Sequence, residues 1–229
     1  MKMVKVDIWS DVACPFCYIG KRNFERGVQM LEGEQDIEVN FRSFQLDPSA
    51  PVTTKDSVHD MLVKKYGMPL AQAKEMNQNV TQTAKQAGLR FDLDNVVLTN
   101  TMDAHRLSHF AKQQGKMNDV IEALLCAYFV EGKHVGDLSV LASIGEQAGL
   151  DKNAVRDMLA GHSFKAEVNK DQEDAKAIGM TGVPFFVIND TYAVSGAQPP
   201  EVFANALRDV TEKEKLSQDA VCTDAHRCE

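Results

Sequence analysis

The sequence lacks long apolar runs and clusters of basic residues, and these absences exclude two classes of protein. No segment approaches the about 20 consecutive apolar residues that a membrane-spanning helix needs. The 33 Asp and Glu residues outnumber the 25 Lys and Arg residues, giving a net charge of −8, so nucleic acid is not an expected partner. With 229 residues, 44% of them hydrophobic, the chain is long enough to bury a substantial core.

Cysteine is scarce and unevenly placed. Of the five cysteines, Cys14 and Cys17 form one pair, Cys222 and Cys228 lie near the C-terminus, and Cys126 stands alone. A secreted disulfide framework would spread its cysteines through the chain. The first residues also lack the apolar core and cleavage site of a signal peptide. We therefore expect a cytoplasmic protein, with Cys126 an inert core thiol in an apolar helix.

Cys14 and Cys17 belong to a C-P-F-C motif between a predicted strand at residues 4–10 and a predicted helix at residues 18–31. This junction places Cys14 at a helix N-terminus, where free N–H groups and the helix dipole favour a thiolate. Cys17, one turn later, can attack a mixed disulfide formed at Cys14. Zinc would need four ligands, and no second C-x-x-C follows. The motif therefore predicts a redox-active pair rather than a zinc site or a structural disulfide.

The remaining pattern predicts an α/β fold in which helices interrupt a sheet domain. Residues 37–44 alternate apolar and polar side chains, so they complete a right-handed β-α-β unit. Seven helices are then expected, at residues 56–66, 70–87, 101–114, 117–131, 137–148, 151–160 and 163–178. The last predicted elements are a strand at 184–188, its hairpin partner at 192–195 and a helix from 199 to about 215.

Helix-ending signals support this division. Asp137 and Asp151 are expected N-caps. Five glycines follow the predicted helices closely: Gly88, Gly115, Gly132, Gly149 and Gly179. The predicted domains are a discontinuous sheet domain (1–50 and 179–210), a helical insertion (51–178) whose last helix packs on the sheet domain, and a tail (211–229).

The C-P-x-C motif after W-S-D, the helical insertion and G-V-P at residues 182–184 together resemble the DsbA family of thioredoxin-fold oxidoreductases. Residues 11–20, D-V-A-C-P-F-C-Y-I-G, and residues 100–106, N-T-M-D-A-H-R, resemble its cytoplasmic FrnE-like branch. The resemblance covers residues 4 to about 210. It implies a thioredoxin-like fold with a helical lid and thiol–disulfide exchange without metal or organic cofactor. Expected partners are protein thiols and a recharging thiol partner, and glutathione stays open as a co-substrate.

The resemblance also implies that Pro184 is preceded by a cis peptide bond and faces the cysteines. A cis bond turns the backbone of Val183 outward, so that its N–H and C=O can pair with an extended substrate segment. The alternative is an ordinary trans proline at the start of an edge strand. With the C-P-x-C motif upstream, the cis form is predicted.

Pro15 and Phe16, between the cysteines, are expected to tune the redox couple. The DsbA protein itself has a histidine at the position of Phe16, and a histidine can add a favourable charge or hydrogen bond to the thiolate. Phe16 cannot. The hypothesis is a couple less oxidising than DsbA, between roughly −120 and −270 mV.

Other residues near the motif have open assignments. Asp11 is either a proton acceptor for Cys17 or a capping aspartate. By resemblance, three residues line the cleft between insertion and sheet: Asn100, His105 and Arg106. His105 and His109 have metal-ligand spacing, but no acidic or sulfur partner accompanies them in the sequence, so we expect helix-surface or lid residues and no metal site.

Two other functions compete with the oxidoreductase. One is a glutathione-dependent isomerase or transferase of the 2-hydroxychromene-2-carboxylate isomerase or kappa-class type. Those relatives carry serine where this chain has Cys14, and they lack the second cysteine. The other is a redox sensor that does not turn over.

The C-terminal cysteines have three interpretations. They are incidental thiols of a frayed tail, a metal site formed with His226, or a second redox pair. Cys222 and Cys228 can close a small ring at little cost in loop entropy, and His226 would favour a thiolate. We favour the second redox pair, which exchanges electrons with Cys14 and Cys17.

Overall fold

The computed structural model describes residues 3–31, 33 and 36–224, and of residues 213–224 it describes only the backbone. Its sheet has the strand order β2-β1-β3-β4. The strands are β1 (Met3–Ser10), β2 (Asp36–Ser43), β3 (Phe185–Ile188) and β4 (Tyr192–Ser195). β1 is parallel to β2, and β3 is antiparallel to both β1 and β4. The predicted α/β, thioredoxin-like fold is confirmed.

Helix α1 (Pro15–Gln29) connects β1 to β2, and α9 (Pro200–Asp224) follows β4. Between β2 and β3 lie α2 (Val58–Tyr66), α3 (Leu70–Gln86), α4 (Met102–Lys112), α5 (Met117–Phe129), α6 (Leu138–Gln147), α7 (Lys152–Ala160) and α8 (Lys165–Ala177). The predicted helices are all present, but α9 continues to Asp224 instead of ending near residue 215.

Local signals fix several helix ends as the sequence predicts. The Asp137 carboxylate accepts hydrogen bonds from two N–H groups in the first turn of α6, and the Asp151 carboxylate accepts one in the first turn of α7. The five helix-ending glycines all have φ between 62° and 88°, the left-handed conformation that glycine adopts without a steric penalty.

α1 and α9 pack against the side of the sheet that carries Ile8 and Phe186. The Phe186 ring lies 5.6 Å from that of Phe24 in α1 and 4.6 Å from that of Phe203 in α9, measured between centroids. Gly27 permits this close approach, because a Cβ there would lie 2.7 Å from the carbonyl oxygen of Pro200. The packing fixes the orientation of α1, and α1 carries the cysteines at its N-terminus.

Glu122 and Asp171 make two groups of the polar contacts between the insertion and the rest of the fold. Glu122 of α5 accepts hydrogen bonds from Tyr18, Lys21 and Arg22 of α1. Asp171 of α8 accepts from the backbone N–H of Ser43 at 2.9 Å and from Arg42, while the Trp9 indole donates to the Asp171 carbonyl at 2.9 Å. These contacts hold the insertion across the ends of β1 and β2.

Within the described part of the chain, no helix is both long and apolar enough to cross a membrane.

Candidate active site

The redox motif begins at the junction of β1 and α1. Cys14 is the N-cap of α1 in extended conformation (φ −94°, ψ 112°), and Pro15 occupies the first turn. Proline suits this position because its missing N–H would have no partner in the helix. The Cys17 N–H donates to the Cys14 carbonyl at 3.0 Å. Both sulfurs are therefore held at the helix N-terminus, with Cys14 4% and Cys17 2% exposed.

Pro184 faces the motif from the opposite side. The Val183–Pro184 peptide bond is cis, as predicted. The Cys14 thiol donates to the Val183 carbonyl oxygen, with a separation of 3.6 Å. The Pro184 carbonyl accepts from the Gly196 N–H at 2.8 Å, which anchors this loop on the hairpin. α1 also packs closely against Pro184, because a Cβ added to Gly20 would lie 2.9 Å from Pro184 Cγ.

Cys17 lies deeper than Cys14 and is held in the protonated form. Burial raises the pKa of the Cys17 thiol well above its ordinary value, and the Cys14 sulfur adds to the increase. Two hydrogen bonds act in the opposite direction, one from the Asp11 N–H at 3.4 Å and one from the Ser10 hydroxyl. Cys17 therefore needs a proton acceptor before it can attack.

Asp11 contacts Cys17 through its backbone and not through its carboxylate. Oδ2 accepts the Leu46 N–H at 2.8 Å, and Oδ1 accepts the Ala13 N–H at 3.4 Å and lies 3.3 Å from His105 Nε2. The side chain thus combines a capping role with a histidine contact that the sequence analysis did not foresee.

The two histidines are lid residues, because α4 belongs to the insertion, but they do not lie on the helix surface. His105 and His109 are 2% and 8% exposed, and each has an acidic partner supplied by a distant segment. His105 contacts Asp11, while His109 Nε2 lies 3.1 Å from Asp171 Oδ2 and 3.1 Å from Ser43 Oγ. Their spacing on α4 places both against the ends of β1 and β2. The four-residue spacing indicated that the two histidines share one face of α4. Their acidic partners, Asp11 and Asp171, are remote in sequence and could not be identified from that spacing.

Asn100 and Arg106 do not contact the cysteines. Asn100 Oδ1 accepts from the Met102 N–H at 2.9 Å, and its amide donates to the carbonyls of Pro48 and Ala50, both at 3.0 Å. Arg106 is buried and donates to Asp103 and to four carbonyls in the last turn of α7 and just after it, those of Met158, Leu159, Gly161 and Ser163. Asn100 thus joins the loop after β2 to α4, and Arg106 stabilises the end of α7.

Two open clefts flank the cysteines. Phe16, 44% exposed, faces α3 across a cleft of about 430 Å³ that also includes Met76 and Val80. A second cleft of about 240 Å³ extends from Ile178 past Val183 and Pro184. Phe16, between the cysteines, and the Val183–Pro184 loop opposite them are therefore both accessible from solvent.

The remaining cysteines lie away from this site or outside the described part. Cys126 was expected to be a buried core thiol, but it is partly exposed. Its partial burial nevertheless raises the pKa of its thiol. Cys228 lies outside the described residues, as does His226, and only the backbone of Cys222 is described, in α9. The second redox pair stays a prediction. In the described ranges, no three His, Cys, Asp or Glu side chains are grouped as metal ligands.

A thioredoxin-like sheet interrupted by a helical insertion, with a C-P-F-C pair against a cis-proline, is the arrangement of DsbA-like proteins. Residues 5–208 match the DSBA-like thioredoxin domain, and the chain belongs to that family.

Three solved structures illustrate the relationship. A probable DsbA oxidoreductase from Streptomyces coelicolor is 39% identical with a TM-score of 0.84, covering 90% of this chain and 89% of that one. The cytosolic disulfide reductase DsbM from Pseudomonas aeruginosa, solved with GSH, is 16% identical with a TM-score of 0.64, covering 91% and 99%. A 2-hydroxychromene-2-carboxylate isomerase is 14% identical with a TM-score of 0.63, covering 98% and 99%. The last two share the fold.

Proposed function

We propose that this protein is a cytoplasmic dithiol–disulfide oxidoreductase of the FrnE-like branch that acts on protein thiols. The observation that carries the proposal is the placement of the Cys14 thiol, 3.6 Å from the Val183 carbonyl that precedes Pro184. A substrate segment paired with the Val183 backbone would hold its own sulfur beside Cys14. Because Cys14 is at the helix N-terminus, its thiolate is the attacking sulfur.

The reaction proceeds in two exchanges. In the reducing direction, the Cys14 thiolate attacks a substrate disulfide, forming a mixed disulfide and releasing one substrate sulfur as a thiolate. Cys17 then loses its proton and attacks the Cys14 sulfur. The Cys14–Cys17 disulfide forms, and the second substrate sulfur leaves with the electron pair. Oxidation of a substrate dithiol is the same sequence in reverse, and a separate thiol partner recharges the enzyme.

The clefts beside Phe16 and Val183 suit extended, partly apolar segments, which supports protein substrates. Glutathione is a further candidate co-substrate, because DsbM, which shares the fold, was solved with GSH and is named as cytosolic. The same comparison supports the cytoplasmic location.

Insulin reduction coupled to a thiol donor tests the proposal. Wild type should turn over, Cys14→Ala should be inactive, and Cys17→Ala should accumulate a mixed disulfide detectable by mass spectrometry. Turnover that survives Cys14→Ala would contradict the assignment.

The alternative isomerase function is measured in parallel. Glutathione-dependent chromene isomerisation that persists in Cys14→Ala would favour it, and binding of thiols without turnover would favour a redox sensor. The direction of the exchange follows from the reduction potential, because a value well below the cytosolic glutathione poise, about −220 to −260 mV, favours a reductase.

A further inference from the structure

A small chamber lies between the ends of β1 and β2 and helices α4 and α5. Apolar side chains form most of its wall, and its volume is about 10 Å³, close to what one enclosed water molecule requires. Four residues bring polar groups to the wall, each at most 5% exposed: Ser10, Ser43, His105 and Ser108. These polar groups are therefore shielded from solvent.

Ser10 connects the chamber to the redox pair. Ser10 directly precedes Asp11, whose N–H donates to Cys17 Sγ at 3.4 Å, and Ser10 lines the chamber together with His105. A hydroxyl is both donor and acceptor, so it can receive a proton and pass its own onward. Ser10 therefore adjoins both the Cys17 side of the site and the chamber that His105 lines.

The contacts of Asp11 indicate which group takes the proton. N–H groups of Ala13 and Leu46 donate to the Asp11 carboxylate and fix its position. The carboxylate oxygen beside Nε2 of His105 accepts a hydrogen bond, so it orients the imidazole with a proton on Nε2 and leaves Nδ1 to accept another. The carboxylate also stabilises the imidazolium that then forms.

We propose that His105, oriented by Asp11, accepts the Cys17 proton through Ser10 while the mixed disulfide is resolved. The inference rests on the proposed function. The Cys17 S–H bond breaks as its sulfur attacks Cys14, the Cys14–substrate bond breaks, and the substrate sulfur departs with the electron pair. His105 becomes an imidazolium and later returns the proton to solvent or to the released thiolate. In the oxidising direction it acts as the acid.

The charged groups around His105 are consistent with this role. The carboxylate of Asp11, after β1, lies 3.3 Å from His105 Nε2. Arg42 of β2 also lines the chamber, but its guanidinium is bound by Asp171 at 2.8 Å. Burial, followed by the Asp11 charge, raises the pKa of Tyr128 in α5, so this phenol stays neutral and does not compete for the proton.

A chromogenic aryl disulfide separates the two chemical steps in a single turnover of the reduced protein. Attack by Cys14 releases one coloured thiolate, and resolution by Cys17 releases the second. The variant His105→Gln keeps an N–H donor toward Asp11 but cannot take up a proton. We expect its first phase to match wild type and its second phase to be about 100-fold slower at neutral pH. That second phase should accelerate with rising pH, as hydroxide replaces the imidazole.

Two further variants complete the test. His109→Gln removes the buried imidazole one turn along α4 and should leave the pH profile of the second phase unchanged. Ser10→Ala interrupts the path with the imidazole in place and should slow the second phase, which keeps the test valid if His105→Gln does not fold. A wild-type second-phase profile in both His105→Gln and Ser10→Ala, or an equal slowing in His109→Gln, would overturn the inference. Absence of the first phase in wild type would instead refute the proposed function.

Discussion

Replacing Gly20 by alanine should damage the redox site more than the fold. The added Cβ would lie 2.9 Å from Pro184 Cγ and 3.5 Å from Phe186 Cζ. Overpacking of this kind costs about 1–3 kcal/mol, and alanine regains about 1 kcal/mol relative to glycine within a helix. The net loss in free energy of unfolding is therefore about 0–2 kcal/mol.

The effect on activity should be larger, because the contact is released most directly by moving Pro184 away from α1. That movement also shifts the Val183 carbonyl, which lies 3.6 Å from Cys14 Sγ in the native site. A displacement of about 1 Å at reacting groups can cost about 100-fold in rate. We expect kcat/KM for insulin reduction to fall about 10- to 100-fold.

Gly27→Ala is the matched control. Its Cβ would lie 2.7 Å from the Pro200 carbonyl oxygen and 2.8 Å from Phe203 Cβ, so it overpacks the same helix on the α9 side. Denaturant unfolding should show an equal or larger loss of stability, while exchange stays close to wild type in the folded fraction. Equal activity in Gly20→Ala and Gly27→Ala, or a normal rate in Gly20→Ala, would refute the reasoning.

Three further predictions concern charge and redox tuning. Burial alone would raise the pKa of Asp171, but hydrogen bonds from His109, the Ser43 N–H and Arg42 outweigh it and lower that pKa below its ordinary value of 3.8. This stabilisation is complete above pH 3.8 and is lost as the pH falls through the lowered pKa. Acid unfolding of Asp171→Asn should therefore depend less on pH in this range. The variant should also lose about 3 kcal/mol of free energy of unfolding at neutral pH. Glu122→Gln weakens the connection between α5 and α1, so urea unfolding should show a free energy of unfolding lower by about 1–2 kcal/mol. An unchanged free energy of unfolding would contradict a stabilising role for Glu122. Phe16→His should raise the reduction potential toward about −120 mV, and a lower potential in a glutathione titration would contradict the tuning hypothesis.

The sequence allowed prediction of the elements whose signals are local. The C-P-F-C junction, the alternating strand at residues 37–44 and the helix caps at Asp137 and Asp151 each depend on neighbouring residues. The pairing of Cys14 with Pro184 is remote in sequence, and it was predicted only because the whole set of motifs resembles a known family.

The interior of the site could not be predicted in the same way. His105 and Asp11 are 94 residues apart, and neither the helical period nor the composition indicates that α4 places an imidazole beside Asp11. Arg106 lies on the same helix, but it donates to carbonyls at the end of α7 instead of contacting β1 or the loop after it. Which face of α4 meets the sheet is decided by packing of the whole insertion.

The separation of 169 residues between Cys14 and Val183 has a consequence for biosynthesis. At about 5–20 residues per second, a ribosome needs roughly 8–34 s to make the chain between them. During that interval both sulfurs of the C-P-F-C motif have left the ribosome before the segment that encloses them exists. The newly made thiols are then open to any oxidant or disulfide nearby until the rest of the chain has been made and has folded over them.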